Sequence, residues 1–187
     1  ALATLKDLVA DFPFGSDADE AAALAGILTA SIRPNLPFAP MFHVRAPQSG
    51  SGKSFLCKVI GAFASPRQSR PTTFPQTDEE CTKLLLSELM ITPAVIEFDN
   101  LTSDIFPYRA LCTALTEELL SERILGVSRT AAPPTRVLFL SSGNNVGPIN
   151  DMARRCITIH LDPKCEHVIS RKFRRTDLVG ELLAGRE

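Results

Sequence analysis

Apolar residues recur along this chain in two alternating rhythms, helical spacing in some segments and short unbroken runs in others. Residues 18–32 place Leu24, Ile27, Leu28 and Ile32 on one helical face behind an Asp17/Glu20 capping pair, which predicts a helix packed on a core. Prolines between Pro34 and Pro40 end it, and Met41 to Arg45 reads as a short strand. A Gly/Ser turn and an apolar helical segment, Ser54 to Phe63, follow directly. Residues 65–77 are rich in Pro, Ser and Thr, with a short strand expected around Thr72 to Phe74. Asp78 to Met90 then shows Cys81, Leu84, Leu85, Glu88 and Leu89 at helical spacing, with acids in the first turn where the helix dipole favours them. Pro93 to Phe98 is an apolar strand, and Tyr108 to Leu120 a helix with leucines one turn apart. Ile124 to Thr130 and Arg136 to Ser141, joined across Ala-Ala-Pro-Pro-Thr, predict a β-hairpin. A short helix around Ile149 to Arg154 leads to a last strand, Cys156 to Leu161. Strands alternating with helices predict an α/β fold around a mostly parallel sheet. The chain divides into a helical lead-in (1–40), a core (41–163) and a basic, helical extension (164–187).

Composition adds bounds to that outline. A chain of 187 residues, 44% hydrophobic and 22% charged, can bury one sizeable core. No apolar run is long enough to span a bilayer, and Ala1 to Ala10 lacks a secretory pattern, so a cytoplasmic protein is expected. Starting at Ala1 and stopping inside a helical segment, the sequence is expected to be a domain of something longer. Cys57, Cys81, Cys112, Cys156 and Cys165 form no CxxC pair, which argues against a disulfide framework and against zinc. A net charge of −1 gives no global attraction to nucleic acid. Residues 1–40 hold two basic and five acidic side chains, whereas Arg171, Lys172, Arg174 and Arg175 cluster near the end, so any polyanion contact must be local.

The strongest chemical signal is Gln48-Ser-Gly-Ser-Gly-Lys-Ser54, lying between a strand and a helix where a phosphate loop must lie. Gly50 and Gly52 let backbone N–H groups converge on phosphate oxygens, and the helix N-terminus adds partial positive charge. Lys53 reaches for the β- and γ-phosphates and the Ser54 hydroxyl for Mg²⁺. Gln48, Ser49, Gly50, Ser51, Gly52, Lys53, Ser54 and Phe55 are thus the nucleotide-binding candidates. Pro47 replaces the usual first glycine of the loop, fixing φ and removing an N–H. A flexible Gly/Ser linker is the bland alternative, but a strand before and an apolar helix after favour the phosphate loop.

A phosphate loop needs a carboxylate from a neighbouring strand to hold the metal, and Val-Ile-Glu-Phe-Asp-Asn (95–100) supplies Asp99 in a sequence that resembles a Walker B motif. Asn100 stands where such ATPases usually carry a catalytic glutamate. Glu97, two residues back and on the same strand face, is an alternative base, and Asn100 positioning water for slow hydrolysis is another. Val137 to Asn145 (VLFLSSGNN) resembles the sensor 1 of AAA+ ATPases, with Asn144 the choice and Asn145 the reserve for contacting phosphate or water. Asp151 to Leu161 (DMARRCITIHL) resembles the place where AAA+ proteins carry an arginine finger, here Arg154 or Arg155. Gly-Asn-Asn as ordinary turn chemistry and the arginines as helix-capping cations or partners of Asp151 are the structural alternatives.

These stations, in this order over Met41 to Leu161, together with the DEE-x-x-K helix, the ERILG stretch and the spacing from GNN to RR, resemble an AAA+ or superfamily 3 helicase-type ATPase domain of phage or integrated-element primase-helicases. The resemblance implies a P-loop NTPase three-layer sandwich with a five-stranded sheet in the order 5-1-4-3-2. It also implies ATP and Mg²⁺ as cofactors, a ring taken as a hexamer with its site between subunits, and single-stranded DNA as partner. It implies a channel hairpin too, for which Ile124 to Ser141, with Arg129 and Arg136, is the candidate. The expected function is an ATP-hydrolysing motor for DNA replication. Its rivals are a nucleotide-dependent DNA loader or scaffold with weak hydrolysis, which Asn100 favours, and a phosphotransferase, which the lack of an arginine-rich lid disfavours. Most of the helical lid is missing after the last strand, and Arg171 to Arg175 either begin it or form a solvated basic face.

Overall fold

In the computed structural model the glycine turn sits at the end of a central strand, and everything else is arranged around that strand. The structure describes residues 2–123, 129–164, 174–175 and 177–185. Helix α1 (Leu2–Val9), which the hydrophobic pattern did not announce, and α2 (Asp17–Ile32) precede strand β1 (Met41–Ala46). Ser16, not Asp17, caps α2, its hydroxyl oxygen accepting from the Asp19 N–H at 3.3 Å. Leu28 and Ile32 are exposed, and the buried face is instead Ala23, Leu24, Gly26, Ile27 and Ala30. Small residues on that face let α2 lie close to the next helix: a Cβ on Gly26 would stand 3.2 Å from Ile60 Cδ1.

Helices α3 (Lys53–Ala64) and α4 (Asp78–Met90) follow, then strand β2 (Val95–Leu101) and α5 (Arg109–Thr116). Thr77 caps α4 by accepting from the Glu80 N–H, and the Glu80 carboxylate accepts in return from the Gln76 N–H at 3.0 Å. Two short strands, β3 (Glu122–Arg123) and β4 (Thr130–Ala131), pair antiparallel. Strands β5 (Leu138–Asn144) and β6 (Cys156–His160) complete the sheet, a five-residue 3-10 helix over Asn150–Arg154 lies between them, and α6 (Leu178–Ala184) comes last.

The main sheet is parallel, in the order β2-β5-β1-β6, with Phe42 opposite Leu140 and Ile157, and Glu97 opposite Leu140. It has four strands among the described residues, not the five expected. Beyond β2, in the place of the missing strand, there is only a bridge between Thr72 and Phe98, closed by the Thr72 N–H on the Glu97 carbonyl at 2.8 Å. Pro66, Pro71 and Pro75 explain this, because a residue without an N–H cannot sustain a ladder.

The expected hairpin from Ile124 to Ser141 is also corrected. Val137 to Ser142 are all buried and run through the middle of the parallel sheet, since an unbroken apolar run suits a strand covered on both faces rather than a hairpin arm. The antiparallel ribbon consists instead of Glu122 opposite Ala131 and Arg123 opposite Thr130, and residues 124–128 of the expected hairpin lie outside the described residues. Strand β2 runs on past Phe98 to Leu101, with its register to β5 shifting over Asp99 and Asn100. Helix α5 stops at Thr116, four residues before its expected end at Leu120.

Apolar side chains fill both faces of the sheet. On one face Phe42, Val44, Leu138 and Leu140 meet α2, α3 and α6; on the other Met41, Ile96, Phe98 and Phe139 meet α4 and α5. Arg33, only 2% exposed, ties the end of α2 to the entry of β5 by donating to the carbonyls of Val137 and Thr135, each at 2.9 Å, and of Leu36 at 2.6 Å. Burial lowers its pKa, and the nearby Arg136 guanidinium adds to that. No helix among the described residues is long and apolar enough to cross a membrane.

Candidate nucleotide site

The turn between β1 and α3 adopts backbone that only glycine takes without strain at the two places where glycine stands. Gly50 has φ 77° and Gly52 φ 91°, the latter as the left-handed N-cap of α3. The turn is braced from within: Ser51 Oγ and Lys53 Nζ both donate to the Gln48 carbonyl, at 2.7 Å and 3.1 Å. Ser49 and Gly50 are exposed at the rim. Phe55, on the first turn of α3, stacks on Phe12 with ring centres 5.8 Å apart, so the lead-in segment packs directly against the loop. Lys53 is 7% exposed, and burial lowers its pKa against an opposing pull from Asp99.

Asp99 is delivered to this loop by the bulged end of β2. Its Oδ1 accepts from Ser54 Oγ at 2.7 Å and from Ser142 Oγ at 2.5 Å. Burial would raise its pKa, but the hydroxyls of Ser142 and Ser54 and the Asn100 N–H outweigh that and hold it below the ordinary carboxylate range. Asn100 has φ 55° and an exposed side chain. Glu97 differs sharply from Asp99 although only one residue separates them: it is 1% exposed, its Oε2 accepts from Ser69 Oγ, and its Oε1 has no partner among the described residues. Burial raises its pKa, with Asp99 adding to the shift.

On the other flank, Asn144 lies opposite Ala46 at the mouth of the loop, with its buried Oδ1 unpartnered. Asn145, with φ 51°, donates from Nδ2 to the Pro47 carbonyl at 3.0 Å and from its backbone N–H to the Ala46 carbonyl at 3.2 Å. Asn145 therefore pins the loop's entry, whereas Asn144 keeps its amide oxygen without a partner among the described residues. Lys53, Ser54, Asp99 and Asn144 thus converge at the C-terminal ends of three adjacent parallel strands, where open α/β sheets hold their ligands.

The remaining candidates lie elsewhere. Arg154 and Arg155 precede β6, whose first residue pairs with Met41, so they stand at the end of the sheet opposite the loop, about 17 Å along β1 by strand rise. Both are engaged by Asp151: Arg154 Nε donates to Oδ1, and Arg155 donates to Oδ2 from Nε at 2.9 Å and Nη2 at 2.7 Å. Arg129 is exposed beside β4. Arg136 is not on the ribbon; it pairs with Glu118 at 3.2 Å and reaches the Pro34 carbonyl. Arg171 and Lys172 lie outside the described residues, while Arg174 is bound to Asp7 and Asp11 and Arg175 to Asp7 and Glu181.

Sequence reasoning missed Ser142, Ser69 and Phe12 as neighbours of this site. Ser142 alone left a signal, a small polar residue ending an apolar strand, and that signal was absorbed into the asparagines beside it. No group of three or more His, Cys, Asp or Glu side chains that could hold a metal occurs among the described residues. A hydroxyl and a carboxylate oxygen hydrogen-bonded beside a glycine loop are nevertheless hard oxygen donors of the type that suits Mg²⁺, which takes few protein ligands when phosphates supply the rest.

No protein-family model matches the chain, and no curated protein matches it. Among solved structures it is similar to one described as the A form apo structure of the NrS-1 C-terminal region, CTR(305-718), at 17% identity and a TM-score of 0.57. The match covers 96% of this chain and 41% of that one, so this chain spans less than half of that region's length. At that identity the likeness concerns the fold.

Proposed function

We propose that this chain is an ATP-binding and ATP-hydrolysing motor domain, of the kind that serves a DNA helicase or primase-helicase of phages and integrated elements. One observation carries the reading: Ser54 Oγ, on the first turn after the glycine loop, meets Asp99 Oδ1 from a neighbouring strand at 2.7 Å, with the buried Lys53 beside them. A linker has no reason to be braced in this way, and an ionised carboxylate beside a lysine and a helix N-terminus favours a ligand that brings both phosphate and cation.

In this reading the loop N–H groups and Lys53 grip the phosphate chain, giving up the Gln48 carbonyl for phosphate oxygens. Ser54 and Asp99 hold Mg²⁺, which supplies neutralisation of charge developing on the phosphates. Asn144, whose buried Oδ1 at the mouth has no partner among the described residues, offers that oxygen as an acceptor to an O–H of the water that attacks the terminal phosphate. Glu97 is a poor base, because a fully buried carboxyl held by Ser69 and biased toward its neutral form is ill placed to polarise water at an open loop. Asn100, exposed at the bulge, orients water without taking its proton. That same observation favours the second reading, a nucleotide-dependent loader or scaffold with weak hydrolysis. Phosphate release with and without single-stranded DNA separates the two: DNA-stimulated turnover supports the motor, and tight ATP binding without turnover supports the scaffold. If fluorescently labelled ATP does not bind at all, both readings fail.

A further inference from the structure

Ser142 does something at this site that neither the glycine loop nor the acidic strand explains. It is 1% exposed, and a buried hydroxyl is retained at a cost unless its hydrogen-bonding capacity is used. Here both kinds of capacity are used. The hydroxyl donates to Asp99 Oδ1 at 2.5 Å and accepts from the Asn100 N–H at 3.3 Å, and it lies 3.5 Å from Ser54 Oγ. The second bond has a structural reason: β2 breaks register with β5 between Phe98 and Leu101, and Ser142 Oγ supplies the acceptor for Asn100 within that break. It thereby supports Asn100 at φ 55°, in the left-handed region that few non-glycine residues adopt. The first bond fixes the Asp99 rotamer, because two hydroxyls held by different elements, Ser54 on α3 and Ser142 on β5, converge on the same carboxylate oxygen.

We infer that Ser142 is a positioning residue for the cation-holding pair Ser54 and Asp99, fixing the carboxylate and the backbone bulge so that the site gains affinity for nucleotide when a divalent cation accompanies it. The inference rests on the nucleotide reading above. Its neighbour Ser141 is the natural contrast. Successive residues of a strand face opposite ways, and Ser141, equally buried, turns its hydroxyl to His43 Nδ1 at 2.8 Å, on the sheet face away from Asp99. One serine of the pair serves the site and the other serves the sheet.

The test measures the affinity of the chain for fluorescently labelled ATP twice, in EDTA and in saturating Mg²⁺; the ratio is the gain that the metal brings. Ser142→Ala should bind in EDTA as the unaltered chain does, because Lys53 and the loop are untouched, but should lose on the order of tenfold of the Mg²⁺ gain, as outer partners of metal-holding groups do. Ser141→Ala should keep the gain. If Ser142→Ala folds poorly by circular dichroism, Ser142→Cys, which keeps the size but is a weak donor, is read in the same way. An unchanged gain in the Ser142 variant, or an equal loss in Ser141→Ala, overturns the inference alone. Absence of binding by the unaltered chain in both buffers overturns the nucleotide reading and this inference with it.

Discussion

Burial lowers the pKa of Lys53, whereas the hydroxyls of Ser142 and Ser54, acting against burial, lower that of Asp99, and the difference can be tested one residue at a time. Lys53 is desolvated and bonded to the Gln48 carbonyl, so removing it leaves the fold intact but takes away the charge that meets phosphate. Lys53→Ala should weaken binding of labelled ATP by about tenfold or more, as loss of a charge-assisted contact does, with little change in thermal melting. Asp99→Asn should spare binding in EDTA and abolish Mg²⁺-dependent phosphate release; equal turnover by the Asn variant would remove Asp99 from its proposed role. A third residue predicts a pH effect. His43 is fully buried, with Nδ1 on Ser141 Oγ and Nε2 on the Val146 carbonyl at 2.9 Å, and burial lowers its pKa below 6.5. The unfolded chain then binds the extra proton first, so His43 costs stability as the pH falls below about 6.5. Urea midpoints between pH 7 and pH 5 should fall for the unaltered chain and fall less for His43→Gln. The candidate site's geometry was legible in the sequence where a single residue type is characteristic, as at Gly50 and Gly52 in the turn and at Asp99 beside Ser54. It was not legible at Ser142 or Ser69, whose importance comes from partners 43 and 28 positions away.

Elements were legible where periodicity alone decides and misread where pairing decides. Helix α4 was expected at Asp78 to Met90 and occurs there, because an N-cap, first-turn acids and a 3.6 spacing agree. Strand β5 begins close to its expected position, but its partners differ: Val137 to Leu140 looked like a hairpin arm, and only the sheet's topology makes it a central parallel strand. Thr72 shows the converse, a β-branched residue whose proline neighbours limit it to a bridge. Arg33 could not have been anticipated, since its worth lies in carbonyls more than 100 residues away. Arg33→Met should destabilise the chain by about 2–4 kcal/mol in urea unfolding, because it strands buried acceptors that apolar atoms cannot satisfy. The ribbon also separates Arg129, exposed beside β4, from Arg136, which pairs with Glu118. If the ribbon meets DNA in the assembled protein, Arg129→Ala should weaken single-stranded DNA binding and reduce its salt slope by about 0.7, whereas Arg136→Ala, already paired with Glu118, should change neither. Equal effects of the two would show that the ribbon is not what distinguishes them.

The whole molecule presents its two most interesting surfaces at opposite ends. The groups proposed to bind phosphate gather at the C-terminal ends of β1, β2 and β5, while Arg154 and Arg155 stand at the N-terminal end of β6, beside a cleft also lined by Phe38, Pro40 and Leu115. With about 17 Å of strand between, neither arginine serves the loop of its own chain. If one of them completes a nucleotide site, it does so on a second copy, after exchanging Asp151 for phosphate. That exchange is cheap, because Arg154 is largely exposed and its bond to Asp151 is a surface ion pair between near neighbours in sequence. An assembly of this kind predicts turnover that rises steeply with protein concentration, and it predicts complementation. A chain carrying both Arg154→Ala and Arg155→Ala keeps its loop, and a chain carrying Lys53→Ala keeps its arginines, so each is inactive alone but a mixture contains interfaces with one intact loop and one intact arginine pair. Because a trans-acting arginine contributes on the order of a thousandfold or more to the rate of phosphoryl transfer, even a small fraction of such interfaces gives measurable phosphate release. Turnover restored on mixing, at concentrations where light scattering reports mixed oligomers, is the expected result. Oligomers that form without restored turnover would assign Arg154 and Arg155 to Asp151 alone, as the ties that close the 3-10 helix before β6.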